Sequence, residues 1–207
     1  IYVDHGNDVG ELIEAFQSVK DSKKPVVVHI NTLKGKGYAP AEQNKEVWHY
    51  NGPFHIETGE PLYEMTEEDY SDISLNYLLD KMKKDPAVVA ITSGTPTVMG
   101  FTEDKRKEAG KQFVDVGIAE ETAVALASGI AANGGKPVYG VYSTFVQRTY
   151  DQIAQDLCIN NSPATIVTFC GSVYGMNDVT HLGLYDIPMM ANIPNLVYLA
   201  PTTKEEY

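Results

Sequence analysis

Two adjacent carboxylates, Glu120 and Glu121, stand at the start of an apolar run that is predicted to be a helix closed by Gly134 and Gly135. The run carries small side chains at helical spacing, at Ala119, Ala123, Ala127 and Ala131. Such a stripe favours close packing on a neighbouring element, so a carboxylate beside it loses contact with water. The helix dipole accounts for one acid at a helix start, but a desolvated acid also needs a partner group. The pattern therefore predicts a paired carboxylate at this position.

Other groups that could bind or react follow the next two predicted strands. Tyr142, Phe145 and Arg148 lie at the carboxyl end of the strand "KPVYGVYS", and His181 lies in a glycine-containing loop after "PATIVTFC". Ligands of open parallel sheets bind beyond the carboxyl ends of the strands, so an acid, an aromatic ring, a cation and an imidazole would meet at one edge. Taken singly, each also fits a structural role: a surface histidine, a core phenylalanine, or an arginine on a helix surface.

The elements that would position these groups alternate along the chain. Five short apolar runs are typical of buried strands: "AVVAIT", "FVDVG", "KPVYGVYS", "PATIVTFC" and "NLVYLAP". Helical patterns lie around them: "YSDISLNYLLDKMKKD", with Thr66 and Asp69 as candidate caps, the run after Glu120, and "VQRTYDQIAQDLCIN". Strands that alternate with helices predict an α/β fold, an open parallel sheet with helices on both faces.

The N-terminal part is predicted to be the tail of a second α/β domain. "DVGELIEAFQSVKDS" has the spacing of an amphipathic helix, and "KKPVVVHIN" is typical of a strand buried on both sides, with His29 in the core. The stretch from Thr32 to Leu62 has no periodicity and is expected to be an extended loop and linker. We therefore divide the chain into residues 1–60 and 61–207.

Composition argues against several classes of function. The 207 residues carry a net charge of −12, which disfavours nucleic acid and anionic membranes as partners. No apolar run approaches the roughly 18 residues of a membrane span and no signal peptide is visible, so a cytoplasmic enzyme is expected. Cys158 and Cys170 lie in apolar stretches and are expected to be buried reduced thiols. A capping box at Thr202 or Thr203, close to the last residue, predicts that the chain is a fragment.

Four segments together resemble the 1-deoxy-D-xylulose-5-phosphate synthase family of the transketolase superfamily, whose enzymes use thiamine diphosphate. The segments are "KGKGYAPAE…WHYNGPF", "DVGIAEETAVALASGIA", "VYSTFVQRTYDQ" and "THLGLYD", and they follow the family's order over nearly the whole chain. The resemblance implies that residues 1–60 are the C-terminal tail of the diphosphate-binding domain plus a linker. Residues 61–207 would be the pyrimidine-binding domain of this thiamine-diphosphate-binding fold, truncated at its C-terminal end, in a protein that forms homodimers.

The resemblance also implies roles for single residues. Glu120 would hydrogen-bond a ring nitrogen of the cofactor's aminopyrimidine, and Phe145 would stack on that ring. Glu121 would only cap the helix. His49 and His181 would contact substrate oxygens and move protons, so the implied catalytic residues are Glu120, His49 and His181.

The implied substrate-binding residues are Tyr142, Arg148, His181 and Asn177, of which Arg148 suits a phosphate or a carboxylate. Two positions depart from the family's pattern. Cys170 stands where an arginine that holds the aldehyde's phosphate is common, and Asn177 stands where an aspartate is usual. The loss of a guanidinium removes a bidentate contact, so the reaction class carries over more safely than the substrate.

The metal half of the family's site has no counterpart in this sequence. The family binds the cofactor's diphosphate through Mg²⁺ held by a Gly-Asp-Gly…Asn motif, whose oxygen ligands suit a hard cation. No Gly-Asp-Gly occurs here, so we assign no metal ligand and expect the ligands outside this segment. The isolated segment is therefore expected to be inactive, to bind no thiamine diphosphate by itself, and to expose an apolar face.

The activity that the resemblance implies is that of a transferase acting on pyruvate and an aldose phosphate. It would condense pyruvate with glyceraldehyde 3-phosphate to 1-deoxy-D-xylulose 5-phosphate and CO₂, for the synthesis of isoprenoid, thiamine and pyridoxal precursors. Two alternatives stay open. One is a transketolase-like or other two-carbon transferase with a different acceptor, which Cys170 and Asn177 favour; the other is a non-catalytic interaction domain that keeps the fold.

Overall fold

The computed structural model describes residues 1–63, 68–172 and 180–207. The chain forms two compact units, residues 1–66 and 67–207. The first unit buries few side chains, and the second contains the hydrophobic core. None of the helices in the described ranges combines the length and the apolar character that crossing a membrane requires.

Short elements make up the first unit: β1 (Tyr2–Val3), α1 (Val9–Val19), β2 (His29–Ile30), α2 (Ala39–Gln43) and a 3₁₀ turn at Val47–His49. The helix α1 confirms the helix predicted from "DVGELIEAFQSVKDS". It begins where the Asp8 carboxylate accepts a hydrogen bond from the Glu11 amide at 3.0 Å. None of its side chains is buried, so capping and helix propensity, rather than packing, define this helix.

The prediction of a strand buried on both sides in "KKPVVVHIN" is wrong. The strand is only two residues long, pairs in parallel with β1, and leaves Val27 79% exposed. His29, expected in the core, is exposed and meets the Tyr2 ring edge-on. A strand becomes buried on both sides only when strands flank it and helices cover it. Among the described residues of this unit, β1 is its one neighbouring strand.

The predicted extended loop from Thr32 to Leu62 is more ordered than its sequence indicates. It contains α2 and the 3₁₀ turn, and the rings of Tyr38, Trp48 and Phe54 pack with centroids 4.9 to 5.8 Å apart. Because these aromatic residues are spaced without a period, the sequence pattern gives no sign that they form a cluster. Contacts between rings, rather than a regular element, organise this stretch.

The second unit is built on a four-stranded parallel sheet in the order β4-β3-β5-β6. Its strands are β3 (Val88–Thr92), β4 (Phe113–Asp115), β5 (Lys136–Tyr142) and β6 (Thr165–Phe169). Its helices are α3 (Tyr70–Lys84), α4 (Glu103–Ala109), α5 (Glu120–Ala132), α6 (Ser143–Val146), α7 (Tyr150–Gln152) and α8 (Asp186–Met190). Further turns are 3₁₀ at Pro96–Met99, Gly110–Gln112 and Gln147–Thr149, and π-helical at Ile153–Ile159. The predicted open parallel α/β sheet is confirmed.

Helices cover both faces of this sheet, as predicted. On one face, Ile91 and Tyr139 pack against α5, whose Ala123 and Ala127 are 0% exposed, which confirms the close packing that the alanine stripe predicts. On the other face, apolar residues of α3 pack against β3; they are Leu75, Leu78, Leu79 and Met82. Of the two candidate caps of α3, Asp69 is confirmed, because its carboxylate accepts hydrogen bonds from the Ser71 and Asp72 amides; Thr66 lies outside the described residues.

The single helix predicted for "VQRTYDQIAQDLCIN" is interrupted. After α6 the chain passes through the 3₁₀ turn at Gln147–Thr149, the short α7, and the π-helical stretch. The Thr149 hydroxyl donates to the Val146 carbonyl at 2.7 Å inside this turn. A side chain that bonds to the backbone in this way competes with the regular helical ladder. The 3₁₀ turn at this interruption contains Arg148, which belongs to the candidate site.

The prediction of a fifth strand in "NLVYLAP" is wrong. The segment forms no strand, and its Val197 and Leu199 are 79% and 80% exposed. Leu196 packs on the core, and the Tyr198 hydroxyl donates to Asp186 Oδ2 at 2.8 Å. These contacts hold the segment across a cavity of ≈ 1670 Å³ from the edge of β6. The segment has the apolar pattern of a strand, but its backbone does not pair with β6.

The capping pattern at Thr202 and Thr203 forms one turn. The Thr203 hydroxyl accepts a hydrogen bond from the Glu206 amide at 3.2 Å. The Glu206 carboxylate accepts hydrogen bonds from the Thr202 amide and hydroxyl, each at 2.8 Å. The Tyr207 amide donates to the Thr203 carbonyl at 3.2 Å, which is the bond of a first helical turn.

Candidate functional site

Glu120 is the first residue of α5, and it is buried although it carries a carboxylate, with 2% of its surface exposed. The loop before it is fixed by Asp115 at the end of β4. That carboxylate accepts hydrogen bonds from the Thr92 hydroxyl at 2.8 Å and from the Gly117 amide at 2.7 Å. These bonds hold the approach to α5 against β3. The predicted desolvation of a carboxylate at this helix start is therefore confirmed for Glu120.

The partner of the buried carboxylate is Arg148. Its guanidinium Nη1 lies 3.4 Å from Glu120 Oε2. The side chain of Glu120 is 3% exposed and that of Arg148 is 57% exposed, so the acid is buried and the guanidinium reaches it from the solvent side. Glu121, next along the chain, is exposed. The structure thus brings Arg148 to Glu120, while its predicted contact with substrate stays a prediction.

Three rings form a second group where β5 and β6 end. The Phe145 and His181 centroids are 5.3 Å apart, and Tyr142 lies 6.0 Å from each, all in edge-to-face geometry. The Thr180 hydroxyl and His181 Nδ1 are 2.7 Å apart. Burial, with a smaller effect of Cys170, raises the pKa of Tyr142, so this phenol stays neutral and can donate a hydrogen bond. The residues predicted to meet here do meet; their roles stay predictions.

The two groups are joined through one helical turn. Phe145 and Arg148 are three residues apart, and the backbone between them is helical. Side chains at that spacing are neighbours on a helix surface. The carboxylate, the cation and the rings therefore all lie at the carboxyl edge of the sheet.

Three other predicted site residues are placed differently. Cys170 is a half-buried cysteine just after β6, in a left-handed backbone conformation with φ of 54°; the expected burial holds fully only for Cys158. His49 lies in the first unit, exposed, with Nδ1 against the Lys34 ammonium. Asn177 falls outside the described residues.

Sequence reasoning missed a buried polar pair close to Glu120. The hydroxyls of Ser93 and Tyr139 are 2.8 Å apart, and both residues are almost completely buried. Burial raises the pKa of Tyr139, and the charge of Glu120 adds to this effect, so the phenol is neutral. A signal was available, since Ser93 directly follows the predicted strand "AVVAIT" and Tyr139 lies inside another buried strand. Asp115, at the end of "FVD", could have been identified in the same way.

The chemistry open to this site follows from its donors and acceptors. A buried carboxylate can accept a hydrogen bond from, or exchange a proton with, a heterocycle. Aromatic rings beside it can contact the face of such a ring, and an exposed guanidinium suits an anionic group. Across the described part of the chain, no cluster of three or more His, Cys, Asp or Glu residues could hold a metal ion. The arrangement suits a flat heterocycle that carries hydrogen-bond donors.

Comparison with known proteins gives concordant results. Two curated relatives are each named 1-deoxy-D-xylulose-5-phosphate synthase. The one from Natranaerobius thermophilus is 41% identical over 202 residues, which cover 97% of this chain and 32% of that protein. The one from Halothermothrix orenii is 40% identical over 201 residues, covering 97% and 31%. The chain thus spans about a third of the length of these relatives.

A solved structure and a family model also match. The solved structure, "Split gene transketolase, inactive beta4 tetramer", has a TM-score of 0.47 and 20% sequence identity, and the match covers 60% of this chain and 40% of that one. The model of the family "Transketolase, pyrimidine binding domain" matches residues 67–207, which is more than half of the chain and includes Glu120, Arg148 and the three rings. The chain belongs to the family of transketolase pyrimidine-binding domains.

Proposed function

We propose that this chain is part of a thiamine-diphosphate-dependent transferase. The reaction would condense pyruvate with glyceraldehyde 3-phosphate to 1-deoxy-D-xylulose 5-phosphate and CO₂. The observation that carries the proposal is the buried carboxylate of Glu120 at the start of α5, inside the matched domain. The names of the curated relatives support the choice of reaction. Because the chain spans about a third of those relatives, the activity is proposed for a longer protein.

The residues present fit the aminopyrimidine end of the cofactor. Among the described residues, the side chain of Glu120 has one hydrogen bond, the 3.4 Å contact from Arg148. That contact is longer than the roughly 2.7–2.9 Å of a strong charge-assisted bond, so the carboxylate can still accept a closer donor. The Phe145 ring follows β5, one helical turn before Arg148. When bound, thiamine diphosphate supplies the electron sink for the two-carbon transfer.

Glu120 would hold a proton at a ring nitrogen of the bound heterocycle and return it. Burial suits this role because it keeps water from the carboxylate, so a proton held there is not lost to solvent. Phe145 would orient the ring by stacking on its face. Glu121 is exposed, and its role is limited to the helix start.

The remaining proposed roles concern the substrates. Arg148 and Tyr142 would bind anionic and oxygen groups of pyruvate and the aldose phosphate. His181 would move a proton at a substrate oxygen, for which its contact with the Thr180 hydroxyl orients the ring. We propose a catalytic role of the same kind for His49 and a substrate contact for Asn177, both from the family resemblance alone.

We further propose how the segment belongs to the whole. Residues 1–60 would be the tail of the diphosphate-binding domain with its linker, and residues 61–207 the truncated pyrimidine-binding domain, in a cytoplasmic homodimer. The Mg²⁺ that binds the diphosphate would have its ligands outside this segment, since the sequence contains no Gly-Asp-Gly. The segment alone would then be inactive.

A second candidate differs in the acceptor. Cys170 offers a half-buried thiol where the family commonly has an arginine for the aldehyde's phosphate. A thiol makes no charge-assisted bond to phosphate at neutral pH. This single observation favours a two-carbon transferase whose acceptor lacks a phosphate.

A product assay on the complete protein tests both candidates. Pyruvate, thiamine diphosphate and Mg²⁺ are supplied with glyceraldehyde 3-phosphate or with the unphosphorylated aldehyde, and products are identified by mass spectrometry. We expect CO₂ and 1-deoxy-D-xylulose 5-phosphate. Preference for the unphosphorylated aldehyde would instead support the second candidate, and no CO₂ release with any aldehyde would reject both.

A further inference from the structure

The pair of Glu120 and Arg148 is asymmetric in its burial. The carboxylate side chain is 3% exposed, and the guanidinium side chain is 57% exposed. Glu120 is fixed by its place at the start of α5, among fully buried neighbours such as Ala123 and Val124. Arg148 reaches the carboxylate from the solvent side, on a long flexible stem. The guanidinium is therefore the member of the pair that can leave.

The backbone beneath Arg148 is anchored although its side chain is not. Thr149 is 0% exposed and its hydroxyl donates to the Val146 carbonyl at 2.7 Å. The 3₁₀ turn that carries Arg148 packs against α5. A fixed turn with an exposed side chain favours rotation of the side chain about its own bonds, without movement of the helix.

We propose that Arg148 is an exchangeable counter-ion that pairs with Glu120 while no ligand is bound and releases it when a heterocycle with N–H donors binds. This inference rests on the proposed function, since it assigns the aminopyrimidine as that heterocycle. The released guanidinium is on the solvent side of Glu120, where its planar fork can bind the carboxylate or phosphate of a second ligand. The exchange sets an order of binding, with the heterocycle before the anion.

The physical reason is that a buried carboxylate needs a partner in both states. Without a ligand, an uncompensated charge in a water-excluded pocket is strongly disfavoured, and Arg148 supplies compensation. With a ligand, ring N–H donors approach at normal hydrogen-bond distance and make the 3.4 Å contact dispensable. The two partners compete for the same oxygen atoms, so the affinity of one depends on the population of the other.

The first experiment tests whether the pair exists, by NMR of the 207-residue chain with ¹⁵N-labelled arginine. The sequence contains two arginines, Arg106 and Arg148, so the guanidinium signals are easily assigned. Arg106 donates to the Phe101 carbonyl at 2.8 Å and is an internal reference. We expect Glu120→Gln to move the Arg148 signals toward those of free arginine, with Arg106 unchanged. Glu121→Gln is the matched control and should change neither; unchanged Arg148 signals in Glu120→Gln would overturn the inference.

The second experiment tests the exchange in the complete protein with a neutral probe, 4-amino-5-hydroxymethyl-2-methylpyrimidine, added in place of thiamine diphosphate. Titration should move the Arg148 signals of the wild-type protein, identified by their loss in Arg148→Met, in the direction seen for Glu120→Gln. Arg148→Met removes the competitor, so the probe should bind at least about fivefold more tightly than to the wild type. Arg148→Lys keeps a charge and should give an intermediate affinity, and it provides the comparison if the methionine variant does not fold. Equal or weaker binding by the variants overturns the proposal.

The outcomes separate this inference from the proposed function. If the complete protein makes 1-deoxy-D-xylulose 5-phosphate but the probe leaves the Arg148 signals unchanged, the exchange is wrong and the activity stands. If the probe displaces Arg148 but the complete protein releases no CO₂ from pyruvate, the exchange stands and the proposed reaction is wrong.

Discussion

The two units of the chain contain helices with similar local signals and opposite burial. Helix α1 begins at Asp8 and helix α3 begins at Asp69. In each helix the aspartate carboxylate accepts hydrogen bonding from backbone amides of the first turn. In α1 no side chain is buried, and Ile13 and Phe16 are each 51% exposed. In α3 the apolar stripe is buried against the sheet. Capping and periodicity therefore indicate where a helix begins and which face is apolar, but burial of that face requires a neighbouring sheet.

The strands show the same contrast. The runs around Val27 and Ile91 are both rich in β-branched residues. Ile91 lies in β3, which has β4 and β5 on its two sides, and it is 0% exposed. Val27 precedes a two-residue strand and is 79% exposed. The number of neighbouring strands, rather than the run itself, decides whether a β-branched residue enters a core.

The largest expected effect comes from truncating one residue of each run. Ile91→Ala should lower the free energy of unfolding by about 2–5 kcal/mol, because it removes buried methyl groups and leaves a cavity. Val27→Ala, the matched control, should change it by less than about 0.5 kcal/mol. Urea unfolding followed by circular dichroism measures both. If the two variants lost similar stability, burial would not separate the two runs.

The next largest effect concerns the adjacent acids Glu120 and Glu121, of which the first is buried and the second is exposed. In the complete protein, Glu120→Gln should reduce turnover by at least about 10²-fold, because an amide cannot hold and return a proton. Glu121→Gln should have little effect, since that side chain is exposed. Initial rates of CO₂ release from pyruvate measure both variants. A Glu120→Gln enzyme with turnover close to the wild type would remove Glu120 from its proposed role.

These contrasts explain which parts of the fold the sequence could predict. The strands from Val88 to Phe169 and the helices α3 and α5 were predictable, because each signal is local and each element has its packing partners in the same unit. Two predicted strands, in "KKPVVVHIN" and "NLVYLAP", did not form as expected. Whether a run pairs as a strand depends on the presence of a neighbouring strand, and the periodicity within the run carries no information about that neighbour.

The candidate site was predictable to a similar degree. Strand order brings the ends of β4, β5 and β6 to one edge, so the meeting of Tyr142, Phe145 and His181 followed from topology. The contact of Arg148 with Glu120 did not, because it depends on the interruption of a predicted helix at the 3₁₀ turn. A side-chain bond such as that of Thr149 is too specific for a periodic pattern to indicate.

A smaller effect is expected from the two helix caps. Asp69→Ala should destabilise the second unit by about 1 kcal/mol near pH 7, whereas Asp8→Ala should leave the slowly exchanging amides of β3 unchanged. The hydrogen bond from the Ser71 hydroxyl, with those from the Asp72 and Ser71 amides, outweighs burial and holds the pKa of Asp69 below its ordinary 3.8.

The sign of the pH dependence follows from that shift. Because the folded-state pKa of Asp69 is lowered, its stabilisation is present above pH 3.8 and is lost as the pH falls through the lowered value. The difference between wild type and Asp69→Ala should therefore shrink below pH 4. Hydrogen exchange and urea unfolding at several pH values measure it, and a constant difference down to pH 2 would show that the cap acts through something other than its charge.

The smallest effect tests the segment that resembles a strand but does not pair. Tyr198→Phe removes the bond to Asp186 and should cost about 0.5 kcal/mol, the low end for a hydrogen bond, because Tyr198 is 42% exposed. Burial and this bond raise the pKa of Tyr198 to about 12. Because the pKa is raised, the hydrogen bond stabilises the folded state fully below pH 10, the ordinary pKa of tyrosine, and this stabilisation is lost as the pH rises to 12.

The measurement is urea unfolding at pH 7. The control is Tyr185→Phe, because Tyr185 is 63% exposed. A loss above about 2 kcal/mol, together with slow exchange of the amides of residues 196–200, would mean that the segment pairs as a strand after all.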